Sequence, residues 1–148
     1  MRKTLIIFQC AILRIVMSFP GLWCFLHNFF NSHFLCTVVG FIWDEQGRVL
    51  LLEHKYRPDP LALPAGFIKK GETPFETLKR EIKEETNFEI TPIRILNVNS
   101  TKTRPHLEFL VEADLIKSMF IPSKEVSYYC WIEKSELQDH SCSVLTLL

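Results

Sequence analysis

The chain carries no excess of charge of either sign: 17 Lys and Arg balance 17 Asp and Glu over 148 residues. A neutral protein has no long-range field with which to gather a polyanion, so a nucleic-acid polymer is excluded as the expected partner. Cysteine in metal-ligand spacing is missing too. Cys10, Cys24, Cys36, Cys130 and Cys142 are odd in number and form no CxxC or Cys/His pattern. That argues for reduced thiols in a cytoplasmic protein, against a disulfide framework or a zinc site. No internal repeat or low-complexity run occurs. The length suits one domain with its own core and is short for two.

Charged side chains are also absent from Ile15 to Trp43. Arg2 and Lys3 precede an apolar run from Thr4 to Leu13, which has the outline of a signal peptide. Arg14 interrupts that run, Phe19-Pro20-Gly21 breaks it, and no small-x-small cleavage pattern follows. A transmembrane span is opposed by Pro20-Gly21 and by the polar cluster His27, Asn28, Asn31, Ser32 and His33. Leu5, Phe8, Ile12, Ile15 and Phe19 follow a 3-4-3-4 spacing, which predicts a weakly amphipathic helix over about 4–19. Residues 1–34 are therefore expected to form an apolar helical segment with one of two uses. It packs on the domain or on a second copy in a homodimer, or it lies in a membrane surface as a peripheral contact. In the second case the protein is membrane-associated and this segment dominates its role.

From residue 35 the pattern changes. Leu35 to Trp43 is β-branched and aromatic, Asp44-Glu45-Gln46-Gly47 is a turn, and Val49 to His54 resumes as a strand. Residues 35–54 thus read as a β-hairpin, with apolar runs continuous enough for a sheet covered on both faces. The next loop holds Lys55 and Arg57 and is stiffened by Pro58 and Pro60. It is either a solvated connection or a cationic arm toward an anionic substrate, with Arg57 as a two-pronged phosphate donor. Leu61 to Leu63 is a short strand, and Gly66 can bring backbone close to a ligand.

Thr73-Pro74-Phe75-Glu76 is a complete helix start: an N-cap, proline at the first helical position and a capping box. Phe75, Leu78 and Ile82 make the stripe that holds this helix against the sheet. Glu81, Glu84 and Glu85 fall at i, i+3 and i+4, so three carboxylates share one arc beside the stripe. Like charges at that spacing destabilise a helix unless a cation binds them, and carboxylate oxygens suit Mg²⁺ or Mn²⁺. Arg80, one residue from Glu81 and four from Glu76 and Glu84, is placed to orient a carboxylate. Asn87 is the expected left-handed residue at the helix end. Beyond it, Ile90 to Asn99, Leu107 to Ala113 and Glu125 to Trp131 read as strands, and Ser135-Glu136-Leu137 as the start of a closing helix.

The run from Gly66 through Glu72, Arg80-Glu81-Ile82, Glu84-Glu85 and Asn87-Phe88 resembles the Nudix box, G-x5-E-x7-R-E-U-x-E-E-x-G-U. Eight of its nine specified positions match, with Asn87 in place of the last glycine. Leu63-Pro64-Ala65-Gly66 is similar to the usual LPGG, and the likeness extends over about 35–137. It implies an α/β/α sandwich with a mixed β-sheet over residues 35–148. The activity implied is Mg²⁺- or Mn²⁺-dependent hydrolysis of a diphosphate linkage in a nucleoside diphosphate joined to another group. On this resemblance Glu81, Glu84 and Glu85 hold the metal with the Ala65 carbonyl, and Gly66 and Glu72 shape the motif. Arg80 serves the catalytic set, Glu84, Glu85 or Glu125 takes a proton, and Lys55, Arg57 and Lys69 offset phosphate charge. The alternative is a catalytically silent Nudix-like nucleotide-binding module, which the intact set of glutamates opposes.

Overall fold

The computed structural model describes residues 34–55, 61–100 and 105–136, together with Gly21. The chain divides into two units, Met1–Phe34 and Leu35–Leu148, and the account below concerns the second. The helix expected over 4–19 lies outside the described residues. No helix among the described residues is long and apolar enough to cross a membrane.

Seven strands form one mixed sheet: β1 (Leu35–Trp43), β2 (Val49–His54), β3 (Leu61–Ala62), β4 (Ala65–Phe67), β5 (Glu89–Ser100), β6 (His106–Lys117) and β7 (Val126–Ile132). The one helix among the described residues, α1 (Pro74–Thr86), sits between β4 and β5 in the chain. The order is β3-β2-β1-β6-β5, with β4 added on β1 and β7 on β2. β1 runs parallel to β6 from Leu35 opposite His106 to Trp43 opposite Asp114; the other pairings are antiparallel.

Burial on both faces explains the uninterrupted apolar character of β1 and β2. Val38 and Ile42 of β1 join Leu78 and Ile82 of α1 in one cluster, while Val39 and Phe41 point to a second cluster with Leu51, Leu63 and Leu110. Gly40 lies on the α1 side, where a Cβ would stand 2.6 Å from a Leu78 methyl. The helix therefore rests almost on the backbone of β1.

The hairpin expected over 35–54 forms differently. Its turn is as read: Gly47 takes φ 75°, and the Asp44 carboxylate accepts from the Gln46 and Arg48 amides at 3.0 and 2.8 Å. Yet β1 and β2 pair only at Trp43 and Val49. Beyond that point they splay, because Leu61–Phe67 enters between them. β3 pairs with β2, β4 pairs with β1, and the Gly40 amide donates to the Pro64 carbonyl at 2.8 Å. This wedge carries Ala65 and Gly66 to the helix. β6 also outruns its expected end at Ala113, since its ladder with β5 continues to Lys117 opposite Glu89. At the other end of the chain Glu136 closes a turn onto Glu133, and residues from 137 onward lie outside the described residues.

Candidate functional site

The helix start forms as its sequence dictates. Thr73 adopts extended backbone (φ −83°, ψ 162°) and the capping box is closed in both directions. Glu76 accepts from the Thr73 amide at 2.8 Å. That commits Glu76 to the cap and removes it from the partners of Arg80. Phe75 is partly buried, and Leu78 and Ile82 fully so. The carboxylates lie beside them in graded depth: Glu85 is 6% exposed, Glu81 is 16% and Glu84 is 56%.

Arg80 is the hub of this face. Its Nε and Nη2 donate to the two oxygens of Glu72 at 2.7 and 2.9 Å, a bidentate pair. Nη1 donates to Glu81 at 2.7 Å and to Glu84 at 3.3 Å, and Nη2 also reaches the Phe67 carbonyl at 3.0 Å. One guanidinium thus joins the loop after β4 to two of the three clustered glutamates. Glu72 collects further donors from the Lys69 amide at 3.1 Å and the Thr77 hydroxyl at 3.0 Å. Hydrogen bonds from Arg80 are the main reason its carboxyl is lowered from 4.5 to about 2; the Lys69 and Thr77 donors and the Arg80 charge add to this against desolvation. The guanidinium is correspondingly held charged, first by Glu72 and then by Glu81.

Gly66 supplies the close approach. A Cβ there would collide with the Glu81 carboxyl group, so only glycine lets this carboxylate lie against the β4 backbone. Ala65, next to it, pairs with Val39 and is partly buried.

Across from α1 stands the segment between β6 and β7. Ser123 makes a tight turn there: its hydroxyl accepts from the Glu125 and Val126 amides at 3.2 and 2.9 Å, and its amide donates to the Val126 carbonyl at 3.0 Å. A cleft of about 240 Å³ is lined by Glu81, Glu84 and Glu85 on one side and Ser123, Lys124 and Glu125 on the other. The four glutamates that the sequence singles out for metal and proton chemistry therefore share one cleft. The lining residues Ser123 and Lys124 escape a reading of the sequence; the signal for Ser123 is a hydroxyl residue three positions before a strand entry, a common turn device.

The cations fall less simply. Lys55 donates from its amide to the Glu125 carbonyl and from Nζ to the Ser123 carbonyl, both at 3.0 Å. It fastens the segment that carries Glu125. Lys69 is exposed, with Nζ 3.9 Å from Glu84. Arg57 lies outside the described residues.

The donor set is all oxygen, which fits a hard divalent cation. As the side chains stand, no three His, Cys, Asp or Glu among the described residues gather tightly enough to hold an ion. Arg80 engages one oxygen of Glu81 and one of Glu84, so a cation would meet the other oxygen of each carboxylate with the guanidinium still in place.

A family model described as the NUDIX domain matches residues 34–143. The chain belongs to the Nudix family. Over 62 residues it is 39% identical to an NAD-capped RNA hydrolase, NudC, from Vibrio vulnificus, a match spanning 41% of this chain and 23% of that protein. Over 65 residues it is 38% identical to an ADP-ribose pyrophosphatase from Methanocaldococcus jannaschii, covering 43% and 38%. The matches thus span well under half the length of these curated relatives. Among solved structures, a Nudix hydrolase from Nitrosomonas europaea superposes with a TM-score of 0.61 at 21% identity, over 73% of this chain and 78% of that one. This likeness establishes the mixed-sheet Nudix fold. Nudix proteins generally use divalent metal ions.

Proposed function

We propose that this Nudix domain hydrolyses the diphosphate linkage of a nucleoside diphosphate joined to another group. The observation that carries the proposal is the cleft with Glu81, Glu84 and Glu85 on one wall and Glu125 on the other. Mg²⁺ or Mn²⁺, held by the α1 glutamates with the Ala65 carbonyl, would polarise a phosphoryl oxygen and acidify a bound water. Arg80 holds Glu81 and Glu84 in place before a cation arrives and anchors Glu72 throughout. Glu84, Glu85 or Glu125 takes the proton from the attacking water. Lys124 on the cleft wall and Lys69 beside Glu84 offset the charge of the leaving phosphate, joined by Arg57. Lys55 acts on this site through the segment it fastens.

Both curated relatives are named for substrates in which a nucleoside diphosphate is joined to a further moiety, so ADP-ribose and NAD head the substrates to test. The full chain, with Mg²⁺, is assayed on these two and then on nucleotide sugars, CDP-alcohols, dinucleotide polyphosphates and nucleoside triphosphates. Cleavage of a diphosphate linkage is expected, and Glu84→Gln combined with Glu85→Gln should lower turnover about 10²–10⁴-fold. Failure to cut any of these substrates, or undiminished turnover in the double variant, would overturn the proposal.

A further inference from the structure

Asn87 stands where the Nudix box has glycine, and it closes α1 in the left-handed conformation, φ 63° and ψ 14°. Its side chain does something that glycine has no group to do: Nδ2 donates to the Met119 carbonyl at 3.1 Å. One residue earlier, the Thr86 carbonyl accepts from the Ile121 amide at 3.1 Å. Between these two bonds Phe120 packs on the Phe88 ring, centroids 6.1 Å apart, and on Tyr129 at 4.7 Å. Residues 119 to 121 are thus clamped to the C-terminal end of the catalytic helix by two hydrogen bonds and an aromatic cluster. The same segment then runs through the Ser123 turn to Glu125, which faces the α1 glutamates across the cleft.

We infer that Asn87 is a positioning residue, whose amide ties the 118–125 segment to the end of α1 and so sets where Glu125 stands relative to Glu81, Glu84 and Glu85. The inference rests on the role given to Glu125 above. In the box position glycine would form the left-handed turn with less strain, and the connection to Met119 would be lost. The departure from the family pattern is therefore a trade: a little turn strain for a bond between the two walls of the site.

The test compares the full chain with Asn87→Gly and Asn87→Asp. Both accept the left-handed turn and neither has a side-chain donor for Met119, so each covers for the other if one folds poorly. In both variants hydrogen exchange of the Ile121 amide should quicken about fivefold, the scale of one lost hydrogen bond, while the amides of β1 keep their protection. On a substrate found as above, Asn87→Gly should lower kcat severalfold with KM almost unmoved, and this loss should vanish in a Glu125→Gln background. Unchanged exchange at Ile121 would overturn the inference. So would a loss of kcat of equal size with and without Glu125, because Asn87 would then act elsewhere. If Glu125→Gln alone leaves turnover intact, the role given to Glu125 fails, and the exchange rates alone decide whether the tie exists.

Discussion

The two walls of the cleft are built on opposite principles. The α1 wall is local: its cap, its glutamate spacing and its Arg80 hub all lie between Gly66 and Asn87, so its geometry is written in one short stretch of chain. The facing wall is a short irregular segment whose place is set from a distance. Lys55, the residue after β2, holds Ser123 and Glu125, and the end of α1 holds Met119 and Ile121. A local wall keeps its geometry as long as the helix forms. A remote wall is only as well placed as its few tertiary bonds.

Arg80→Lys tests the helix wall hardest. Lysine keeps the charge and loses the planar fork that serves Glu72, Glu81, Glu84 and the Phe67 carbonyl together. Divalent-cation affinity, measured by titration calorimetry, should weaken about 10–100-fold. Acid provides a gentler break in the same wall. The Glu72 carboxyl falls from 4.5 in the unfolded chain to about 2 in the native protein. Its stabilising contribution is therefore complete above pH 4.5 and is lost as the pH falls toward 2. Denaturant midpoints followed over that range should drop, and Glu72→Gln should flatten the drop. The smallest effect is expected from Lys55→Met, which leaves the main-chain bond to Glu125 intact and removes only the exposed Nζ bond to Ser123. About 1 kcal/mol or less of global stability is at stake, yet exchange of the Glu125 and Val126 amides should quicken while the α1 amides do not change. Equal loosening of both walls in that variant would erase the distinction between them.

The same distinction separates what could be read from the sequence from what could not. The cap at Thr73, the stripe of Phe75, Leu78 and Ile82, the glutamate arc and the left-handed Asn87 follow from spacing within one helix, and the structure has them. Strand identities in β1 and β2 were legible for the same reason. Their partners were not, since the Leu61–Phe67 wedge that splays them is chosen by tertiary packing. Arg80 was readable as an orienting residue, but its main partner Glu72, eight positions away and off the helix, was not. Ser123 and Lys124 were missed because nothing local marks a loop residue as facing a helix about 40 positions earlier. For Lys55 the sequence leaves a solvated connection and a phosphate contact both open, because a cation in a proline-stiffened loop has no spacing rule to say which way it turns.

The parallel pairing of β1 with β6 carries a consequence for how the domain assembles. Every residue of β1 waits for a partner about seventy positions further along the chain, and the whole glutamate helix lies within that interval. Such a long loop must close before the central pair can form, which places folding in the slow, non-local regime of milliseconds to seconds. During synthesis the residues of the helix emerge well before the strand that completes the floor beneath it, and a helix of 13 residues is marginal in water without that floor. The acidic face is thus assembled opposite Glu125 only after β6 has paired with β1.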